Sequence, residues 1–121
     1  EGGVEALFGA VRDPQFGPCV MFGLGGTLVE LLDDVTLRPA PVSTGEALEM
    51  LAEVRLSALL DGARGAAPIN RAAAAGLLAR LSEIIATVPR IAEIDLNPVF
   101  LRPDGPAIAD ARIVLCDNPA L

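Results

Sequence analysis

The hydrophobic period of this chain changes twice, and those changes constrain the architecture before any residue is given a task. Up to Pro41, apolar residues come in short runs broken by Gly, Pro and Asp. From Ser43 to Val88 they keep helical spacing in two segments, and from Arg90 they return to alternation. In the first part, Val4 to Val11, Cys19 to Phe22, Thr27 to Leu32 and Val35 to Arg38 read as strands. "RDPQFGP", "GLGG" and Asp33-Asp34 turn the chain between them, and Pro39 and Pro41 stop the last strand. Ser43 with Glu46 three residues on is a capping box, which predicts a helix from Thr44 to about Leu56 with Ala47, Leu48, Leu51 and Val54 inward. "LLDGARGAAPIN" then connects to a second helix, Arg71 to Thr87, capped by Asn70 and closed by Pro89. Its inward positions are Ala74, Leu77, Leu78, Leu81, Ile84, Ile85 and Val88. Arg90 to Leu101 reads as a strand, "PDGP" as a turn, Ala107 to Leu115 as the return strand and "CDNPAL" as a frayed tail. The fold class is α+β: a largely antiparallel β-sheet with two main helices packed on one face.

A chain of 121 residues suits a single domain, 1–121, with a core of its own. Hydrophobic residues make up 52% but only four are aromatic, all Phe, so the core must be aliphatic. The net charge of −7 argues against a nucleic-acid partner, which asks for a basic patch. There is no apolar run of membrane-spanning length and no basic amphipathic helix, so no membrane role is expected. His is absent, which removes His triads, His general bases and His metal ligands from this chain. Cys19 and Cys116 lack metal-site spacing and read as small buried hydrophobes of a reducing, cytoplasmic compartment. The opening "EGGVEALFG" runs directly into a strand without an initiator Met, as expected of a piece of a longer protein.

The chemistry concentrates in "EIDLNP", Glu93 to Pro98. On a strand, Glu93, Asp95 and Asn97 point to one side while Ile94 and Leu96 point to the other. Counting outward from a turn near Asp104 brings Asp110 to within about one residue of facing Asn97. Glu93, Asp95, Asn97 and Asp110 then share a patch. Oxygen donors without nitrogen or sulfur suit a hard cation, of which Mg²⁺ is the usual one. From spacing alone a solvated sheet face is the favoured reading, because acidic residues on exposed strands are ordinary. Asn-Pro in mid-hairpin argues for a special position, because Pro has no N–H to give a ladder.

"GVEALFGAVRDPQFGP", "VMFGLGGTLVELLDDVTLRPAP", "LLDGARGAAP" and "IAEIDLNPVFLRPDGPAIADARIVL", in that order, resemble the C-terminal half of an ATP-grasp domain. The similarity is to the nucleoside-diphosphate-forming acyl-CoA synthetases, relatives of the succinyl-CoA synthetase β chain. It implies a ligase that joins a small carboxylic acid to CoA at the expense of ATP, through a phosphorylated histidine and an acyl phosphate. It further implies Mg²⁺ held by Asn97 and Asp110 with Asp95 adjacent, and ribose hydroxyls met by Glu5. Arg12, Arg38 and Arg64 sit in family-like motifs where one or two would face phosphate oxygens, and a salt bridge is the competing role for each. "GLGG", including Gly25 and Gly26, reads first as a tight turn and second as part of the nucleotide-site wall. Glu30 follows it in the motif with no role that chemistry assigns.

The family's phosphate-binding lysine, adenine hinge, phosphohistidine and CoA-binding domains are not in these 121 residues. The expectation is a fragment that is inactive alone, completed by other domains or subunits, and prone to self-association through an uncovered sheet face. The alternative is a non-catalytic or regulatory module, with fusion to a lysine acetyltransferase as one architecture.

Overall fold

The computed structural model describes residues 3–25, 34–62 and 67–117. Its elements are β1 (Val4–Asp13), β2 (Gly17–Leu24), β3 (Val35–Pro39), α1 (Thr44–Glu53), a short 3₁₀ helix (Ser57–Asp61), α2 (Arg71–Thr87), β4 (Ile91–Leu101), β5 (Ala107–Ile108) and β6 (Ala111–Leu115). The strands form one antiparallel sheet in the order β3-β2-β1-β4-β5, with β6 also paired to β4. The expected strand Thr27 to Leu32, together with Gly26, Glu30 and Arg64, lies outside the described residues.

Strand alternation divides the sheet into two chemically distinct faces. Ala6, Phe8 and Ala10 of β1, Val20, Phe22 and Leu24 of β2, and Ile94 and Leu96 of β4 are buried on one face. Phe8 and Phe22 meet edge-to-face there, with ring centroids 5.2 Å apart. Both helices cover this face. α1 buries Ala47, Met50 and Leu51. α2 buries Ala74, Ala75, Leu78, Leu81, Ser82 and Ile85. Among the described residues the other face carries no helix, and it holds the acidic positions of β4.

Local signals explain most of the element boundaries. Ser43 and Glu46 form the reciprocal capping box at the start of α1. The Asn70 side chain accepts the Ala73 N–H at 3.0 Å and opens α2. The inward faces are turned slightly from the expected ones. Leu48 is exposed and Met50 takes its place, because the stripe of α1 runs through Ala47, Met50, Leu51 and Val54. In α2, Val88 is exposed, whereas Ala75 and Ser82 enter the core. Ser82 is satisfied there: its Oγ accepts the Val42 N–H at 2.9 Å and donates to the Ala79 C=O at 2.7 Å.

α1 also stops at Glu53 rather than near Leu56. Val54 is extended, and the buried Asp34 carboxylate accepts the N–H groups of Arg55 and Leu56, which turns the chain into the 3₁₀ segment. The expected single return strand is divided into β5 and β6 around Ala109 and Asp110. Cys19 is buried as expected. Cys116 is half-buried and its N–H donates to the Arg90 C=O, which ties down the first residue of the expected tail, whereas 118–121 lie outside the described residues.

Arg12 fastens the sheet to the end of α2. Its side chain projects from β1 to the helix-bearing face, where Nη2 donates to the Ile85 and Val88 carbonyls at 2.6 and 2.9 Å. Its Nε donates to the Ile91 C=O at 3.2 Å. The last carbonyls of a helix have no partner within it, and a cation there also suits the helix dipole. Arg12→Met should therefore destabilise the chain by about 2 kcal/mol in urea denaturation, the scale of lost charge-assisted hydrogen bonds. Arg12→Lys should recover part of that loss. A cost below about 0.5 kcal/mol would show that water serves these carbonyls as well as the guanidinium does.

Candidate functional site

The site is built around one irregularity between β1 and β4. Phe8 pairs with Leu96 and Ala6 pairs with Val99, so Asn97 and Pro98 together oppose Leu7 alone. This is a β-bulge, in which two residues of one strand face one of the other. It shifts the phase of β4 by one residue. Buried positions run Ile94, Leu96 before it and Val99, Leu101 after it. Both halves of the strand thus keep an apolar face on the helices. The Asn97–Pro98 peptide is cis. Pro98 is tolerated because the β1 ladder asks no N–H of the extra residue.

On its other side β4 keeps one register with the return strand from Glu93 to Phe100. Leu96 pairs with Ala111, and Val99 pairs with Ile108. Between them the Asn97 N–H donates to the Asp110 C=O at 3.1 Å, and the Ala109 N–H donates to the Pro98 C=O at 3.0 Å. Asn97 and Asp110 are therefore directly opposite, and opposite residues of an antiparallel pair project to the same side. Both are exposed. One Asp110 carboxylate oxygen, Oδ1, accepts the Ala111 N–H at 3.0 Å, which steadies the side chain.

The remaining β4 acids follow on the same face. Asp95 pairs across with Arg112 on one side and Gly9 on the other. Glu93 forms an ion pair with Arg112 at 3.5 Å. Gly9 lines a shallow pocket here with Leu7, Met21, Glu93 and Asp95, and Met21 packs so closely over it that a Cβ would come within 2.9 Å of Met21 Cγ. At the other end, Glu5 pairs with Phe100, and the Glu5 C=O accepts the Gly25 N–H at 3.1 Å. Gly25 has φ of 130°, a conformation that favours glycine. The Arg102 guanidinium lies 5.8 Å over the Phe100 ring. Along β4 the open face thus reads Asp95 with Arg112, then Asn97 with Asp110, then Phe100 with Glu5.

The sheet brings Glu5, Gly25, Asp95, Asn97 and Asp110 to this face. Arg12 and Arg38 do not join them, which corrects the expectation that they meet phosphate. Arg12 is spent on helix carbonyls, as described above. Arg38 pairs with Val20, a core position, so its side chain also points to the helix side, where it forms an ion pair with Glu53 of α1. Sequence reading assigned these arginines by motif, and motif does not reveal which face a strand residue takes. Arg112 was missed, although the same outward count that pairs Asn97 with Asp110 places it opposite Asp95.

The donor chemistry fits a hard cation. Among the described residues no three Asp, Glu, Cys or His side chains gather closely enough to hold a metal unaided. Mg²⁺ does not require that, since it takes one or two protein oxygens and fills its shell with phosphates and waters. The Asn97 amide oxygen and an Asp110 carboxylate oxygen meet that need. Among the described residues, no helix is long and apolar enough to cross a membrane.

Comparison with known proteins bears on this arrangement. The ATP-grasp domain family matches residues 1–115. The chain is 47% identical over 113 residues to the β subunit of the ADP-forming acetate–CoA ligase I of Pyrococcus furiosus, covering 93% of this chain and 49% of that protein. It is 39% identical over 117 residues to the ADP-forming 4-hydroxybutyrate–CoA ligase of Nitrosopumilus maritimus, covering 95% of this chain and 17% of that protein. The dinucleotide-forming acetyl-coenzyme A synthetase 1 of Ca. Korarchaeum cryptofilum, solved with coenzyme A and Mg-AMPPCP, superposes with a TM-score of 0.89 at 48% identity. That match covers 96% of this chain and 55% of the synthetase chain. The chain spans about half the length of the Pyrococcus subunit, and a far smaller share of the longer ligase. By the extent of these matches, and by a sheet that agrees with theirs, the chain belongs to the ATP-grasp domain family.

Proposed function

We infer that this chain supplies the metal- and ribose-binding side of the nucleotide site in an ADP-forming acyl-CoA synthetase. The observation that carries this reading is the pairing of Asn97 with Asp110 on the open face of the sheet, at the point where β4 bulges against β1. Mg²⁺ bound there would neutralise phosphate charge during phosphoryl transfer, a reaction that depends mainly on positioning and charge compensation.

This chain's residues provide the positioning. Asn97 contributes a neutral oxygen and Asp110 a charged one, the latter steadied by the Ala111 N–H. Asp95 adds negative charge two residues along the strand. Glu5 accepts from ribose hydroxyls, and Gly25 beside it lets a ligand approach the backbone closely. Nucleotide, CoA and a small carboxylic acid are the substrates of the whole protein, and further domains or subunits complete the site. The Pyrococcus and Nitrosopumilus relatives are named for different acids, acetate and 4-hydroxybutyrate, yet both align over nearly all of this chain. That pattern supports assigning this segment to the shared nucleotide chemistry and the choice of acid to other parts.

In the full-length protein, Asn97→Ala and Asp110→Asn should each abolish ATP-dependent acyl-CoA formation while shifting thermal stability by less than about 1 kcal/mol. Raised Mg²⁺ should partly restore Asp110→Asn, since a weakened site still fills by mass action. Normal turnover in both variants would leave these residues as a solvated sheet face. Glu5→Gln should raise the KM for ATP more than it lowers kcat, because a ribose contact is equally present in ground and transition states. Steady-state kinetics at varied ATP decides this, and a fall in kcat at constant KM would remove Glu5 from the ribose.

A further inference from the structure

We propose that Arg112 is the cation with which this face of the sheet meets the terminal phosphoryl group of the nucleotide. The proposal rests on the functional reading above and follows from how the fold distributes its arginines. Phosphoryl transfer needs positive charge near the transferred group beyond that of the metal. Arg12 and Arg38 project to the helix-bearing face and are engaged there. Arg71 lies at the start of α2 and pairs with Asp61. Arg112, paired with Asp95, stands on the open face, and Arg102 lies over the Phe100 ring of the same face.

Position separates these two. Arg102 follows the end of β4, five residues beyond Asn97, and lies over the Phe100 ring that pairs with Glu5. At about 3.3 Å per strand residue, that is roughly 16 Å from the metal position, at the ribose end. Arg112 is two residues from Asp110 on the same strand side, so its Cα stands about 7 Å from that of Asp110, well within reach of an arginine side chain. It lies on the side of the Asn97–Asp110 pair away from Glu5. Ribose contact, metal ligands and Arg112 therefore follow one another in the order of a nucleoside, its inner phosphates and its terminal phosphate.

The environment of Arg112 suits a group that must turn toward a ligand. Its side chain is 65% exposed, and its ion pair with Glu93 is long, at 3.5 Å. Such a pair is weak and readily exchanged for a phosphate oxygen, to which a guanidinium presents two parallel donors.

The test uses the full-length protein and calorimetric affinities for Mg-AMPPCP and Mg-ADP, which differ by the terminal phosphate and do not turn over. Arg112→Gln should weaken Mg-AMPPCP about tenfold and Mg-ADP less than about twofold, as expected for loss of one charged contact to the terminal group. Arg112→Lys should retain most of the Mg-AMPPCP affinity, which a purely structural role for the guanidinium would not predict. Equal weakening of both nucleotides, or weakening of neither, would overturn the proposal. Asn97→Ala, measured in parallel, separates the two levels of the argument. If it weakens both Mg-nucleotides while Arg112→Gln weakens neither, only the role of Arg112 fails. If Asn97→Ala leaves both affinities intact, the metal assignment fails and the proposal with it.

Discussion

The mismatch of two residues against one, where Asn97 and Pro98 of β4 oppose Leu7 of β1, is the constraint on which the rest of the site depends. β4 runs through the middle of the sheet and must keep an apolar face on the helices along its whole length. Without the extra residue, the phase that buries Ile94 and Leu96 would turn Val99 and Leu101 toward the open side, at a cost of roughly 1.5–3 kcal/mol for each large side chain left uncovered. With it, the four are buried together. A polar residue is left at the bulge, opposite Asp110, and the sheet presents two oxygen-bearing side chains without giving up core. Packing and function are met by the same local feature, as bulges beside ligand sites commonly achieve.

The two faces of the sheet divide the labour. The helix-bearing face is aliphatic apart from the Phe8–Phe22 contact, and its polar groups serve structure: Arg12 on the carbonyls at the end of α2, Ser82 on Val42, Asp34 on the turn after α1. The open face holds the groups of the proposed site, with Glu5, Asn97, Asp110, Asp95 and Arg112 arranged along β4 and its neighbours. Acidic groups dominate it, which is unfavourable for phosphate unless a divalent cation intervenes. Electrostatics and donor type both fit the proposed ligand, a metal-bound nucleotide.

How much of this was readable in the sequence depends on the range of the interaction. The capping box at Ser43, the cap at Asn70 and the extent of α2 were legible because each is set by residues a few positions apart. The pairing of Asn97 with Asp110 was legible because one short turn joins the two strands and fixes the count. The bulge itself was not, since it exists only against β1, some ninety residues away, and nothing in "VEALFGAV" announces it. The arginines show the same limit. Arg12 and Arg38 sit in motifs that suggest phosphate, but the face of a strand residue follows from register, which only the assembled sheet defines. Leu48 and Met50 exchanged places for a related reason, because the stripe that a short helix buries is chosen by the sheet beneath it.

The chain belongs to the ATP-grasp domain family and spans about half of the Pyrococcus subunit it matches. The central claim is that the bulge presents the metal position. The most direct measurement is a crystal structure of the full-length protein with AMPPCP and Mn²⁺ in place of Mg²⁺, in which anomalous scattering locates the metal. The account predicts a single strong peak at direct coordination distance, about 2 Å, from the Asn97 amide oxygen and an Asp110 carboxylate oxygen. A nucleotide-bound metal held elsewhere, with both side chains turned to solvent, would contradict it.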